Sequence, residues 1–184
     1  MKTWNPDRYN EAWCFATKAH DGQTYGGATE GERVPYLNHL GSVTMEVMHA
    51  LHFDAQLDGN FAIQCALLHD TIEDTSVTYA AIAATFGINV ANGVLALSKN
   101  PALPKAGQMQ DSLDRICQQP KEVAVVKLAD RISNLKPPPF YWDNQKLAAY
   151  QAESKIILEK LGFASAQLTA RLQNKIEAYS QYWR

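Results

Sequence analysis

Apolar positions along this chain recur with the period of an α-helix. Toward the C-terminus Leu168, Leu172, Ile176, Tyr179 and Trp183 follow one another at steps of four, four, three and four. That spacing stacks them on one helical face and predicts an amphipathic element. Leu147, Tyr150, Ile157 and Leu161 keep a similar rhythm, as do Val125, Leu128, Ile132 and Leu135. The pattern predicts helices near 6–20, 38–53, 59–72, 76–86, 88–98, 106–118, 120–135, 142–161 and 165–182. No stretch alternates convincingly between apolar and polar residues, as a half-buried strand does. The β-branched run VAVV (123–126) is the best strand candidate, and it continues into helical spacing. The predicted class is all-α.

Two segments read as loops. DGQTYGGATEGERVP (21–35) carries four glycines and ends on a proline, and KPPPFYW (136–142) carries three prolines that must end the preceding helix. The second suits a hinge to a helical tail. Too little chain follows it for a separate domain, so residues 1–184 are read as one domain. Its core covers about 6–135, and two C-terminal helices form a tail over 142–184. The tail aromatics Trp142, Tyr150, Tyr179, Tyr182 and Trp183 are expected to pack on the core, with a homodimer surface as the alternative.

Composition narrows the function classes. The chain has 184 residues, 46% hydrophobic and 20% charged, with a formal net charge of −2, which is ordinary for a globular protein. No basic excess points to nucleic acid or to an anionic membrane surface. A small anionic substrate stays open, because local charge or a metal can bind it. Cys14, Cys65 and Cys117 are scattered and odd in number, so neither a disulfide framework nor a thiolate zinc site is expected. Three reduced, packed thiols in a cytoplasmic protein are the simplest reading. The N-terminus has no apolar signal core, and nowhere do eighteen apolar residues run together.

The stretch CALLHDTIEDT (65–75) places His69, Asp70, Glu73 and Asp74 directly after an apolar run. Such groups need a cation, hydrogen bonds or water. On a continuous helix His69 and Glu73 would share one stripe and Asp70 and Asp74 the next. One alternative is an exposed helix end followed by a new helix capped at Thr75 or Ser76. Two other segments bear on the choice. PYLNHLGSV (35–43) carries His39 beside an apolar helix start. KLADRISNL (127–135) carries Asp130, with Lys127, Arg131 and Asn134 on the adjacent face. Singly, His39 reads as a core histidine and Asp130 as an intrahelical ion pair. Jointly those readings are strained, because three helices would each aim a metal-type ligand from an apolar setting. His39, His69, Asp70 and Asp130 form a suitable set for a divalent manganese, iron, cobalt or nickel ion, and zinc also accepts these ligand types.

The order His39, His69-Asp70, Asp130 resembles the signature of the HD superfamily of metal-dependent phosphohydrolases. PYLNHLGSV, ALLHDTIEDT, FGINVANGVLALSKN and VKLADRISNL are similar to the hydrolase half of the RelA/SpoT alarmone enzymes and their stand-alone small relatives, from about Ala16 to Leu135. The resemblance implies a compact multi-helix HD-domain bundle that uses manganese. It implies removal of pyrophosphate from the 3′ position of guanosine tetra- or pentaphosphate. It implies metal ligation by His39, His69, Asp70 and Asp130, an acidic pair, Glu73 and Asp74, beside the reacting water, and substrate contact by Asn134. One departure stands out. The family usually has a basic pair soon after the glutamine of the glycine-rich loop, where this chain has Thr24-Tyr25.

Lys127 and Arg131 are candidates to neutralise substrate phosphates, with a solvated helix flank as the competing reading. Tyr25 can stack on a base or pack on its own loop. His20, His49 and His52 have no comparable partners in the sequence. Two further functions are weighed: a phosphohydrolase of another nucleotide specificity, and a non-catalytic nucleotide sensor.

Overall fold

The computed structural model describes residues 4–183. Ten α-helices are described: α1 (Pro6–Ala19), α2 (Leu37–Phe53), α3 (Gly59–Leu68), α4 (Thr71–Asp74), α5 (Tyr79–Phe86), α6 (Ile88–Leu97), α7 (Lys105–Ile116), α8 (Lys121–Asn134), α9 (Asn144–Leu161) and α10 (Ala166–Ala178). Short 3₁₀ turns over Gly162–Ala164 and Tyr179–Tyr182 follow α9 and α10. The all-α reading holds, with one addition. The glycine-rich loop contains a hairpin, β1 (Thr24–Gly26) antiparallel to β2 (Arg33–Pro35), with Tyr25 opposite Val34. The strands are three residues each, too short to show as alternation. Gly31, at φ +80°, sits in the connecting turn, where side-chain-bearing residues are disfavoured.

Helix α8 is the axis of the bundle. It is buried continuously from Glu122 to Ile132 and packs on α2, α3, α6, α9 and α10. This explains VAVV: a helix surrounded on all sides carries apolar residues all round, as a buried strand would. At the α3–α6–α8 crossing Gly93 lets the helices approach; a Cβ there would lie 2.9 Å from Cys65 Sγ and 3.2 Å from Val123 Cγ2. Leu168, Leu172, Ile176 and Tyr179 are buried as expected, while Trp183 is exposed. Arg171 of α10 also clamps Glu46 of α2, its Nε 2.7 Å from Oε2. Cys65 is packed, but Cys14 and Cys117 are exposed, contrary to expectation. No helix among the described residues is long and apolar enough to cross a membrane.

The expected helix over 59–72 is broken. Helix α3 stops at Leu68, and α4 starts only at Thr71. Two side chains compete for carbonyls of the last turn: His69 Nδ1–H donates to Ala66 O at 2.8 Å, and Thr71 Oγ1 donates to Leu68 O at 2.7 Å. The next helix also begins later than expected. Thr78, not Thr75 or Ser76, caps α5, accepting from the Ala81 amide. Thr75 Oγ1 instead donates to Thr71 O and accepts from the Val77 amide.

Candidate metal centre

The break between α3 and α4 positions the first two groups. In a regular helix neighbouring residues point about 100° apart and do not face each other. Here the adjacent His69 and Asp70 converge, Nε2 to Oδ2 at 2.9 Å. His39, in the first turn of α2, brings its Nε2 to 3.2 Å from His69 Nε2 and 3.4 Å from Asp70 Oδ2. His39, His69 and Asp70 thus offer three ligand atoms within 4.8 Å of one another. Asp130 of α8 approaches from the other side, its Oδ1 3.5 Å from His39 Nε2 and 3.9 Å from His69 Nε2. Both histidines and Asp130 are buried.

The supporting bonds suit metal ligation. With the His69 Nδ1 proton on Ala66 O, the Nε2 lone pair faces the cluster. His39 Nδ1 has Ser133 Oγ at 3.4 Å. Asp130 accepts from Lys127 Nζ at 2.9 Å through Oδ2 and from Asn134 Nδ2 at 2.6 Å through Oδ1. Burial by itself raises a carboxyl pKa, yet Asp130 is held at about 2, because Lys127 and the two imidazoles outweigh burial. Asp70 is likewise held well below the usual carboxylate range: His69 and His39 overcome its desolvation. His69 shows the reverse. Burial pulls it down, but the Asp70 carboxylate, Asp130 and the Ala66 carbonyl carry it up to about 9. Two imidazole nitrogens and an Asp70 oxygen within 4.8 Å of one another, with Asp130 Oδ1 3.5 Å from His39 Nε2, fit a borderline divalent cation.

The acidic pair divides. Tyr36 donates its hydroxyl proton to Asp70 Oδ2 at 2.6 Å, and Asp74 Oδ2 lies 3.0 Å from the same hydroxyl. The Asp74 pKa is raised, first by partial burial and then by the Asp70 charge. Glu73 turns to Lys99 instead, accepting from its amide and its ammonium, each at 2.8 Å. Asp74 therefore joins the ring around Asp70, while Glu73 forms an ion pair beside it.

The cluster opens into a cavity of about 570 Å³, lined also by Glu73, Asp74, Lys127, Arg131 and Asn134. That size lies within the roughly 300–1,000 Å³ of small-molecule sites. All nine residues singled out in the sequence therefore meet at one place. Lys127 and Arg131 are buried, unlike a solvated flank. Arg131 pairs with Glu153 and lies over the Tyr150 ring, 4.2 Å from its centroid.

Several wall residues were not anticipated from sequence: Tyr36, Lys99, Lys136 and Tyr141. Tyr36 had a usable signal, since it stands three residues before His39 and so on the same face. Tyr25, which had two readings, packs: its hydroxyl donates to Asn38 Oδ1 at 3.0 Å and Lys136 Nζ lies over its ring, yet it also lines the cavity. His20, without a partner in the sequence, is buried and stacks on Tyr36 with ring centroids 4.8 Å apart. His49 and His52 flank Phe53.

Comparison with known proteins agrees with this geometry. A family model described as HD domain matches residues 12–162. The guanosine-3′,5′-bis(diphosphate) 3′-pyrophosphohydrolase MESH1 of Danio rerio is 29% identical over 163 residues, which cover 86% of this chain and 87% of that protein. The bifunctional (p)ppGpp synthase/hydrolase SpoT of Escherichia coli (strain K12) is 33% identical over 146 residues, 74% of this chain but 19% of SpoT. A solved structure, described as a metazoan ortholog of SpoT that hydrolyzes ppGpp, superposes with a TM-score of 0.80 at 22% identity, covering 96% of this chain and 97% of its own. The converging histidines and aspartates, the helical bundle that carries them and the match over 12–162 together make this chain a member of the HD-domain family.

Proposed function

We propose that this protein is a metal-dependent 3′-pyrophosphohydrolase of guanosine tetra- or pentaphosphate. The observation that carries the proposal is the convergence of His39, His69, Asp70 and Asp130 at the end of a nucleotide-sized cavity. The activities printed for the MESH1 and SpoT relatives supply the reaction and substrate. Those four side chains would hold the ion, with manganese the preferred candidate. A divalent ion in such a site supplies Lewis acidity, lowering the pKa of water and polarising a phosphoryl oxygen.

The remaining steps fall to the chain's own groups. Lys127 and Asn134 fix the Asp130 carboxylate from two sides. Tyr36 fixes Asp70 and ties it to Asp74. Glu73 is the proposed acceptor of the water proton: it lines the cavity beside the cluster, held by Lys99. Asp74, with its raised pKa, is the proposed donor to the leaving oxygen. Asn134, Lys127 and Arg131 are the proposed substrate contacts, Arg131 acting with Glu153 from the cavity wall. The chain acts as one domain, because α9 contributes Tyr150 and Glu153 to the same cavity as α2 and α8. Three unpaired thiols suit a reducing, cytoplasmic setting.

The test is purified protein with manganese and guanosine tetraphosphate. Pyrophosphate and guanosine diphosphate are the expected products. Turnover of a different nucleotide, with none of this one, would favour a second reading, an HD phosphohydrolase of other specificity. Thr24-Tyr25, uncharged where the family usually carries a basic pair, supports that reading.

A further inference from the structure

Among the described residues four cations line the cavity: Lys99, Lys127, Arg131 and Lys136. Three are matched by carboxylates. Lys99 pairs with Glu73 at 2.8 Å, Lys127 with Asp130 at 2.9 Å, and Arg131 with Glu153. Lys136 is different. Among the described residues no carboxylate lies within 4.0 Å of its ammonium group, and its partner is the face of the Tyr25 ring, 3.9 Å from Nζ to the centroid. An aromatic face attracts a cation without cancelling its charge. Lys136 therefore faces the cavity with no carboxylate in direct contact, unlike the other three cations, although Glu32 lines the same cavity from the hairpin.

The charge is held in place from both sides. Tyr25 is fixed by strand pairing with Val34 and by its bond to Asn38. Lys136 precedes Pro137, which restricts the lysine backbone, and Pro138 beyond it is buried. The position is also defined. Tyr25 packs edge-on against Tyr36, ring centroids 6.3 Å apart, and Tyr36 bonds Asp70. Lys136 thus stands two aromatic rings, Tyr25 and Tyr36, beyond the metal cluster, along the same cavity.

We propose that Lys136 is a specificity-determining residue that receives a second anionic group of the substrate, remote from the bond that breaks. Resting on the function proposed above, that group is the 5′-diphosphate of the guanosine nucleotide. A substrate bound through one phosphoryl group at the cluster extends along the Tyr25 wall, where Lys136 meets its other charged end. Tyr25 then serves to seat the lysine, while Thr24 accepts from Arg33 Nε, and Lys136 supplies the cation on this side of the cavity.

The test separates binding from turnover. Metal-free protein in EDTA is titrated calorimetrically with guanosine 3′,5′-bis(diphosphate) and with guanosine 3′-diphosphate bearing a free 5′-hydroxyl. Wild type should prefer the first ligand by about tenfold or more, the worth of one charge-assisted contact. Lys136→Gln should erase that preference, and Lys136→Arg should keep most of it. Equal loss of both ligands in Lys136→Gln, survival of the preference, or no preference in wild type would each overturn the assignment. Lys136 is half-buried in a loop, so both variants are expected to fold. Hydrolysis with manganese is followed in parallel. Preference without turnover would sink the proposed reaction and leave the role of Lys136 standing.

Discussion

His39 and His69 meet nitrogen to nitrogen, Nε2 to Nε2, at 3.2 Å. Two lone pairs at that distance repel unless a positive charge lies with them. Asp70 and Asp130 surround the pair with negative charge and strengthen the demand. The cluster is built to hold a cation, and its behaviour with and without one can be measured.

Manganese should raise thermal stability. A ligand at about a hundred times its Kd contributes about 2.7 kcal/mol. For a domain of this size that is an increase in Tm of roughly 5–10 °C. Scanning fluorimetry with manganese against EDTA reads it directly, and His69→Ala should remove the response. A wild-type Tm that stays flat across the manganese series would refute metal binding here.

The sign of the pH dependence follows from His69, whose pKa rises from 6.5 in the free side chain to about 9 in the metal-free fold. Burial opposes the rise, and the two carboxylates with the Ala66 carbonyl overcome it. A group raised by folding stabilises fully below its unfolded pKa and loses that contribution as pH climbs through the folded value. The metal-free protein should therefore lose stability between about pH 6.5 and 9. The manganese form should lack that decline, because the ion replaces the proton. Loading at pH 7.5 should release about one proton. Calorimetry in two buffers of different ionisation enthalpy counts it.

Glu73→Gln should cut kcat by roughly 10²–10⁴, the usual worth of a general base. The manganese-induced rise in Tm should persist, since Glu73 faces Lys99 and not the four proposed ligands. Full activity in this variant would remove Glu73 from the mechanism.

Gly93→Val tests the crossing beneath the site. Its Cβ would stand 2.9 Å from Cys65 Sγ and 3.2 Å from Val123 Cγ2, and overpacking of this kind costs roughly 2–3 kcal/mol. Chemical denaturation should show a lower midpoint with an unchanged slope. A midpoint equal to wild type would mean that α3 and α8 yield easily at this crossing.

Much of the site was legible because its residues carry unusual chemistry in apolar surroundings. His39 beside Leu40, His69 after Leu67 and Leu68, and Asp130 within α8 each contradict a simple core pattern. Helices were legible through their periodicity, down to VAVV in α8. The break at His69-Asp70 was not legible: no glycine or proline marks it, and only Asp70, at φ −99° and ψ −2°, leaves the helical torsions that His69 keeps. His69 and Thr71 side chains bond backbone carbonyls at that point, a local contact that periodicity does not register. The β1–β2 pairing is likewise set by two three-residue strands with no pattern of their own. Nor does a sequence reveal which carboxylate a lysine meets. Lys99 and Lys136 look alike on paper, and only the packing gives one a counter-charge and the other a ring.

Tyr150, Glu153 and Tyr179 lie beyond the triple-proline segment, yet they form part of the wall that faces the cluster. A version truncated after Leu135 would retain every proposed ligand and still lose one side of its substrate chamber, with Arg131 stripped of Glu153. The final quarter of the polypeptide is therefore masonry of the reaction vessel and cannot be trimmed as a dispensable appendage.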